Sequence, residues 1–297
     1  FRQANEQRRA EYERGDMGKA TYERWVRCVA YLEEFMQLTM NVPDMPVKDV
    51  TKGFVQDFEH FLRMNKKAAN NTAVRYLRYL KNVMQYAIAN KWATEDPFLG
   101  KRFKRTVADR EALTEAELKR MMDLDLKDYP RVEAVRDTFV FCCFTGLAFC
   151  DIKSLKRSDI TTDAEGNMWI RKHREKTGEL SVIPLLDVPR RLIEKYRNHP
   201  KVMFEGVVLP VISNQRLNAY LKEVADLAKI NRHLTSHIGR HTFATLSLSN
   251  HVPIESISKM LGHSDIRTTQ IYAKMQDKTI YEDMATMRQK FDCVMMN

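Results

Sequence analysis

What this chain of 297 residues lacks narrows its function first. It holds no run of eighteen or more apolar residues, which excludes an ordinary membrane-spanning helix. No secretory leader stands at the front, and the chain starts at Phe1 without a methionine, so it reads as a fragment excised from something longer. Its five cysteines (Cys28, Cys142, Cys143, Cys150 and Cys293) form no CxxC pair and no even framework. Three of them cluster in an apolar segment, which predicts buried free thiols and suits a reducing, cytoplasmic setting. Internal repeats and low-complexity tracts are absent as well.

Positive charge is what the chain has in excess. Forty-nine Lys/Arg against 39 Asp/Glu give a formal net charge of +10 and a pI near 9.3. The excess is concentrated: residues 62–106 hold eleven basic residues and two acidic ones. Arg75, Arg78 and Lys81 recur at helical spacing, and Lys101, Arg102, Lys104 and Arg105 follow in "KRFKR". A solvated helical face would explain part of this, but the density points to nucleic acid.

The pattern of apolar residues divides the chain. Tyr22, Trp25, Val26, Val29, Leu32 and Met36 recur at steps of three and four, as do Phe54, Val55, Phe58, Phe61 and Leu62, so the first third is helical. "EDPFLGKRFKRTVADREA" breaks that period with Pro97 and Gly100 and reads as a basic linker. A second domain opens at "LTEAEL", where Thr114 and Glu117 are spaced as a capping box flanked by Leu113 and Leu118. An apolar helix ending near "FTGLAF" comes next. "MWIRKH" and "LSVIPL" then alternate as strands around a turn that carries Lys176, Thr177 and Gly178. The remainder is helical. These signals predict a mainly α protein with one small antiparallel β-hairpin.

Three stretches carry chemistry. In "TSHIGRHTFATL", His237, Arg240 and His241 share a helix face at i, i+3 and i+4. An H-x3-H pair could bind metal, but Ile238 stands where a zinc peptidase needs its glutamate base, and no further ligand cluster is evident. The other reading is a clamp for phosphate oxygens, because positioned Arg and His donors stabilise the charge of a phosphoryl transition state. Lys176 could then serve as the acid for a leaving oxygen. Tyr272, nine residues after His263 in "LGHSDIRTTQIYAK", is either an ordinary half-buried aromatic or the nucleophile. A phenol with a free pKa of about 10 needs a base or a strong positive field to act as one.

The ordered set Lys176, His237-x-x-Arg240, His263, Tyr272 resembles the tyrosine recombinases, or phage-type integrases. "KTGELSVIPL" is similar to their catalytic hairpin, "HIGRHTFAT" to their HxxR helix and "MLGHSDIRTTQIYAK" to their LGH…Y box. The resemblance implies a helical core-binding domain over 1–96, a basic linker over 97–112 and a catalytic domain over 113–297. It also implies that Tyr272 attacks a DNA phosphate to form a 3′-phosphotyrosyl link. Lys176 would protonate the 5′-oxygen, Arg240 and His263 would hold the non-bridging oxygens, and His237 would help move the proton at Tyr272. Such a protein needs no ATP, metal or other cofactor, and works on double-stranded attachment sites as a tetramer of protomers.

One position departs from the family. Where the family carries its first catalytic arginine, in "TGLR", this chain has "TGLA" with Ala148, although Asp151 still matches the acidic support that follows. An alanine here resembles integrases of Bacteroides-type mobile elements. Arg136, twelve residues upstream, is the expected substitute, with Arg131, Arg171 and Arg174 as competitors. Two other readings compete with the recombinase. A non-catalytic helix-turn-helix protein would use "DIRTTQIY" as its recognition helix, and a relaxing topoisomerase would use the same tyrosine chemistry. The C-terminal "DKTIYEDMATMRQKFDCVMM" reads as a helix or tail that packs on its own domain or on a neighbouring protomer.

Overall fold

The computed structural model describes residues 2–106 and 112–272, together with position 284. The chain divides into two compact units between Ala108 and Asp109. The first contains α1 (Arg2–Glu13), α2 (Lys19–Met40), α3 (Lys52–Met64) and α4 (Asn70–Ala89). Its core is aromatic: Phe35 packs against Phe54, Phe58 and Phe61 with ring centroids 5.1–5.5 Å apart. Burying each such ring contributes on the order of 2 kcal/mol, so these four rings hold together helices that could not persist alone.

The expected linker is shorter than 97–112. Phe98 is buried in the core of the first unit and Phe103 packs against it. Asn70 donates to the Lys104 carbonyl at 2.9 Å and Asn71 to that of Thr106 at 2.7 Å. The basic stretch up to residue 106 is therefore strapped to α4 by two aromatic anchors and two amides. Residues 107–111 lie outside the described residues.

The second unit contains α5 (Glu115–Met122), α6 (Pro130–Thr145), α7 (Phe149–Lys153), β1 (Ile160–Thr162), β2 (Met168–His173), β3 (Leu180–Pro184), α8 (Asp187–Lys195), α9 (Pro200–Glu205), α10 (Asn214–Leu227), α11 (Ser236–Ser249), α12 (Ile254–Leu261) and α13 (Arg267–Gln270). The capping box at Thr114 and Glu117 forms as expected. α6 is buried on all sides because α5, α8, α10 and α11 pack around it. The hairpin pairs Trp169 with Pro184 and His173 with Leu180, and β1 adds a third antiparallel strand along β2.

α6 stops at Gly146, whose φ of 65° lies in the left-handed region. A Cβ there would meet Phe243 Cδ1 at 2.4 Å and Leu261 Cδ2 at 2.8 Å, so the position needs glycine for space as well as for backbone. This contact brings the end of α6 against α11 and α12. Cys28, Cys142 and Cys143 are buried, and burial pushes the Cys142 thiol up to about 12. Cys150 departs from the expected buried cluster: it lies in the first turn of α7 at the surface. Cys293 and the C-terminal stretch read as a tail lie outside the described residues.

Candidate active site

The first turns of α11 set His237, Arg240 and His241 on one side of the helix. Arg240 is buried, with Nη1 donating to the Gly146 carbonyl at 2.6 Å and Nη2 to the Leu261 carbonyl at 2.7 Å. Its Nη2 also lies 2.9 Å from His263 Nε2. A guanidinium can only donate, so Nε2 must offer its lone pair and the ring proton sits on Nδ1. That proton points at Thr269 Oγ1, 2.8 Å away. The tautomer of His263 is thus fixed from both sides. Burial, then the charges of Arg240 and Arg174, lower its pKa to about 4.

The LGH box is a helix end that fixes this geometry. Gly262 terminates α12 with φ 59° and ψ 48°, and His263 N–H returns to the Ser258 carbonyl at 3.0 Å. The short α13 follows, with Thr269 fully buried beneath His263. Tyr272 N–H bonds back to the Thr269 carbonyl at 3.0 Å, which turns the tyrosine toward α11. Its ring lies 4.9 Å from that of His241, which in turn meets His237 at 4.5 Å. Tyr272 also packs on the cluster formed by Phe243, Ala244, Ile257 and Leu261.

Sequence alone sets His241 on the face of His237 and Arg240 and names a specific role for it only as a metal ligand. The structure makes it the ring between His237 and the tyrosine. Its i+4 spacing from His237 is the signal that could have found it. Among the described residues no group of three or more His, Cys, Asp or Glu is arranged to hold a metal ion. Lys176 stands exposed in the hairpin turn, where Thr177 and Gly178 N–H both return to the Arg174 carbonyl.

Arg136 is not part of this cluster, and the expectation that it replaces the missing arginine is corrected. It lies in the second turn of α6, and the helix that runs on from there to Thr145 corresponds to roughly 14 Å. Its Nη1 donates to the carbonyls of Met121, Met122 and Leu124 at 3.2, 3.0 and 3.1 Å, closing the C-terminal end of α5. Its Nε pairs with Asp137, and Lys195 bridges Asp137 and Glu133 at 2.6 and 2.7 Å. Arg136 holds the fold together at the far end of the helix.

In the first unit, the basic residues expected to meet DNA separate into two kinds. Arg78 and Lys81 lie over the Phe103 ring at 5.6 and 5.9 Å, and Arg75 is on the same helix. Arg102, Lys104 and Arg105 are exposed beside them. Lys101 differs, since its Nζ is bound to Glu59 at 2.7 Å.

The two parts of the chain match two known sequence families. Residues 111–279 match the phage integrase family, and residues 2–105 match the phage integrase SAM-like domain. The chain belongs to the phage integrase family. It is 25% identical over 292 residues to tyrosine recombinase XerD of Listeria monocytogenes serotype 4b, covering 91% of this chain and 93% of the relative. It is 30% identical over 219 residues to tyrosine recombinase XerA of Saccharolobus solfataricus, covering 71% of this chain and 66% of the relative. Among solved structures, a lambda integrase fragment (75–356), a dimer bound to a COC′ core site, matches with a TM-score of 0.71 at 16% identity. That match covers 92% of this chain and 96% of the other. The Tn1549 transposon integrase (82–397) with circular intermediate DNA matches at 0.72 and 16%, over 93% and 96%. The integrase fold and membership among the tyrosine recombinases are thereby established. No helix among the described residues is long and apolar enough to cross a membrane.

Proposed function

We propose that this chain is the site-specific recombinase of a mobile element, cleaving and rejoining double-stranded DNA through a 3′-phosphotyrosyl intermediate. The observation that carries the reading is the direct contact of Arg240 with His263, with Tyr272 packed against the same helix end. In the cleavage step the Tyr272 oxygen forms a bond to phosphorus as the bond from phosphorus to the 5′-oxygen breaks. The phenol proton passes toward His237 and His241, and Lys176 gives a proton to the departing 5′-oxygen. Arg240 holds a non-bridging oxygen as charge builds on it, and His263, whose Nε2 lone pair accepts from Arg240 Nη2, keeps that guanidinium in place. One phosphoester replaces another, so neither ATP nor a metal ion is needed to drive or polarise the step. Rejoining is the same step reversed with a different 5′-hydroxyl. A tetramer on two synapsed sites would let four protomers exchange four strands.

The test is covalent capture. The full chain is incubated with a library of nicked duplexes of randomised sequence, and protein-linked DNA is recovered after denaturation. The expected result is a recovered consensus duplex, with the adduct lost in Tyr272→Phe while DNA binding survives. The adduct yield should be the same in excess EDTA as in magnesium at constant ionic strength. An adduct mapped to Tyr281 would overturn the assignment of the nucleophile.

A further inference from the structure

The gap at Ala148 leaves a specific deficit. One donor to the scissile phosphate is missing from the helix end where the family carries it, yet the acid that would support that donor is still present. Asp151 is 1% exposed. Its Oδ1 accepts from Glu175 N–H at 2.8 Å, while Oδ2 has no hydrogen-bond partner. A buried carboxylate in this position calls for a cation. Arg174 supplies it, with Nε 3.7 Å from Oδ2.

Arg174 reaches this place through strand alternation. Side chains along a strand point to opposite faces in turn, so residues 170, 172 and 174 share the face on which Ile170 is fully buried. Arg171 and His173 point outward. The Arg174 N–H continues the ladder to the Glu179 carbonyl at 2.9 Å, so the backbone that carries the side chain is held firmly. The guanidinium then crosses to α12 and donates from Nη1 to the Gly262 carbonyl at 3.0 Å. A Cβ on Gly262 would meet Arg174 Cδ at 2.6 Å, so the glycine of the LGH box leaves the passage through which this arm runs.

Two guanidiniums therefore hold successive carbonyls of one peptide segment, Arg240 at Leu261 and Arg174 at Gly262. They are close enough that burial, followed by the Arg174 charge, lowers the pKa of Arg240. Like charges brought together in a partly buried site are unfavourable unless an anion completes them. A guanidinium has five N–H donors, and the one bond to Gly262 leaves Arg174 donors for that anion.

We propose that Arg174, on the β-hairpin, is a catalytic residue that binds a non-bridging oxygen of the scissile DNA phosphate in place of the arginine absent at position 148. The inference rests on the recombinase reading above. The same geometry removes the other candidates. Arg136 is committed to α5, Arg131 lies still farther back at the start of α6, and Arg171 stands on the outward face of β2. Asp151 keeps its supporting role but receives its arginine from a different strand of the chain.

The experiment uses the full chain and the duplex recovered by covalent capture, made in two forms. One carries the ordinary scissile phosphate and the other a methylphosphonate, in which a neutral methyl replaces one charged oxygen. On phosphate, Arg174→Ala should slow adduct formation by about 10²–10³. Arg174→Lys should keep charge but lose the fork, and fall between the two. On methylphosphonate the Arg174→Ala deficit should shrink to within about tenfold, because the charge that Arg174 would neutralise is gone. A merely structural role for Arg174 would leave the same deficit on both substrates and would overturn the proposal. Equal rates for Arg174→Ala and the unchanged chain on phosphate would overturn it too, while leaving the recombinase reading intact. If the unchanged chain captures no duplex, the recombinase reading itself fails and this inference with it.

Discussion

Buried arginines stand at both ends of α6, and they are treated in opposite ways. At the N-terminal end, Arg136 and Lys195 face Glu133 and Asp137, so two cations meet two anions. Every partner there is a group of the protein itself, including the Tyr196 hydroxyl, which donates to Asp137 at 2.7 Å. At the C-terminal end, among the described residues, Arg174 pairs with one acid, Asp151, and the two guanidiniums of Arg174 and Arg240 otherwise donate to main-chain carbonyls and His263. Charge is balanced where it only has to hold helices together. It is left in surplus where an anionic substrate would complete it, which is the arrangement expected of a site that sacrifices stability for function.

The largest effect that would separate the two ends is on stability. Arg136→Met strips one of its two cations from Asp137, leaving Lys195, and leaves three carbonyls without their donor. Removing one partner of a buried pair costs about 3–5 kcal/mol, so denaturant unfolding should shift strongly. Cleavage per folded molecule should stay near normal. Arg174→Met should cost less than half as much, because losing the partner of Asp151 is offset by relief of repulsion with Arg240. Equal destabilisation by the two changes would break the comparison.

A second test reads the surplus charge through His263. Its folded pKa of about 4 lies below the unfolded value of about 6.5, because burial and two neighbouring guanidiniums oppose its protonation. As pH falls below about 6.5 the unfolded chain binds the proton first. The stabilisation is therefore complete above that value and is lost progressively down to about pH 4. The ring signals of His263 should titrate near pH 4 in the free chain. Inorganic phosphate at high concentration should move that midpoint upward by supplying the missing negative charge. A midpoint near 6.5 without phosphate would mean that the cluster exerts no such field.

The sequence is most informative where a pattern repeats over several residues. The helical period, the Thr114–Glu117 box and the alternation of β2 and β3 each correspond to an element in the structure. β1 escapes notice because three residues with a single neighbouring strand carry too little alternation to read. The expectation that Arg136 fills the gap at Ala148 fails for a physical reason as well. Nearness along a chain is not nearness across a fold, and Glu133 and Asp137 beside Arg136 already mark it as locally neutralised. Alternation from the buried Ile170 selects Arg174 over Arg171. In the linker, charge draws attention away from Phe98 and Phe103, the residues that bind it to the helices.

The smallest effect tests the same contrast between paired and surplus charge on the first unit. Lys101 faces Glu59, which also accepts from Arg63 at 2.8 Å, so its charge is already answered by the protein. Arg102, Lys104 and Arg105 are exposed and strapped beside Arg78 and Lys81 on α4. If the unit grips DNA through phosphates, each of these three that meets one releases condensed counterions on binding. Binding of the full chain to a duplex should then weaken steeply with salt. Replacing Arg102, Lys104 and Arg105 with glutamine should flatten the log–log slope by roughly 0.9 for every phosphate that is no longer neutralised. Lys101→Gln should leave the slope almost unchanged and instead lower the unfolding midpoint slightly, by the small amount typical of a partly exposed pair. A slope that flattens for Lys101→Gln but not for the other three would reverse the assignment, making Lys101 the residue that meets phosphate and the exposed cations a solvated surface.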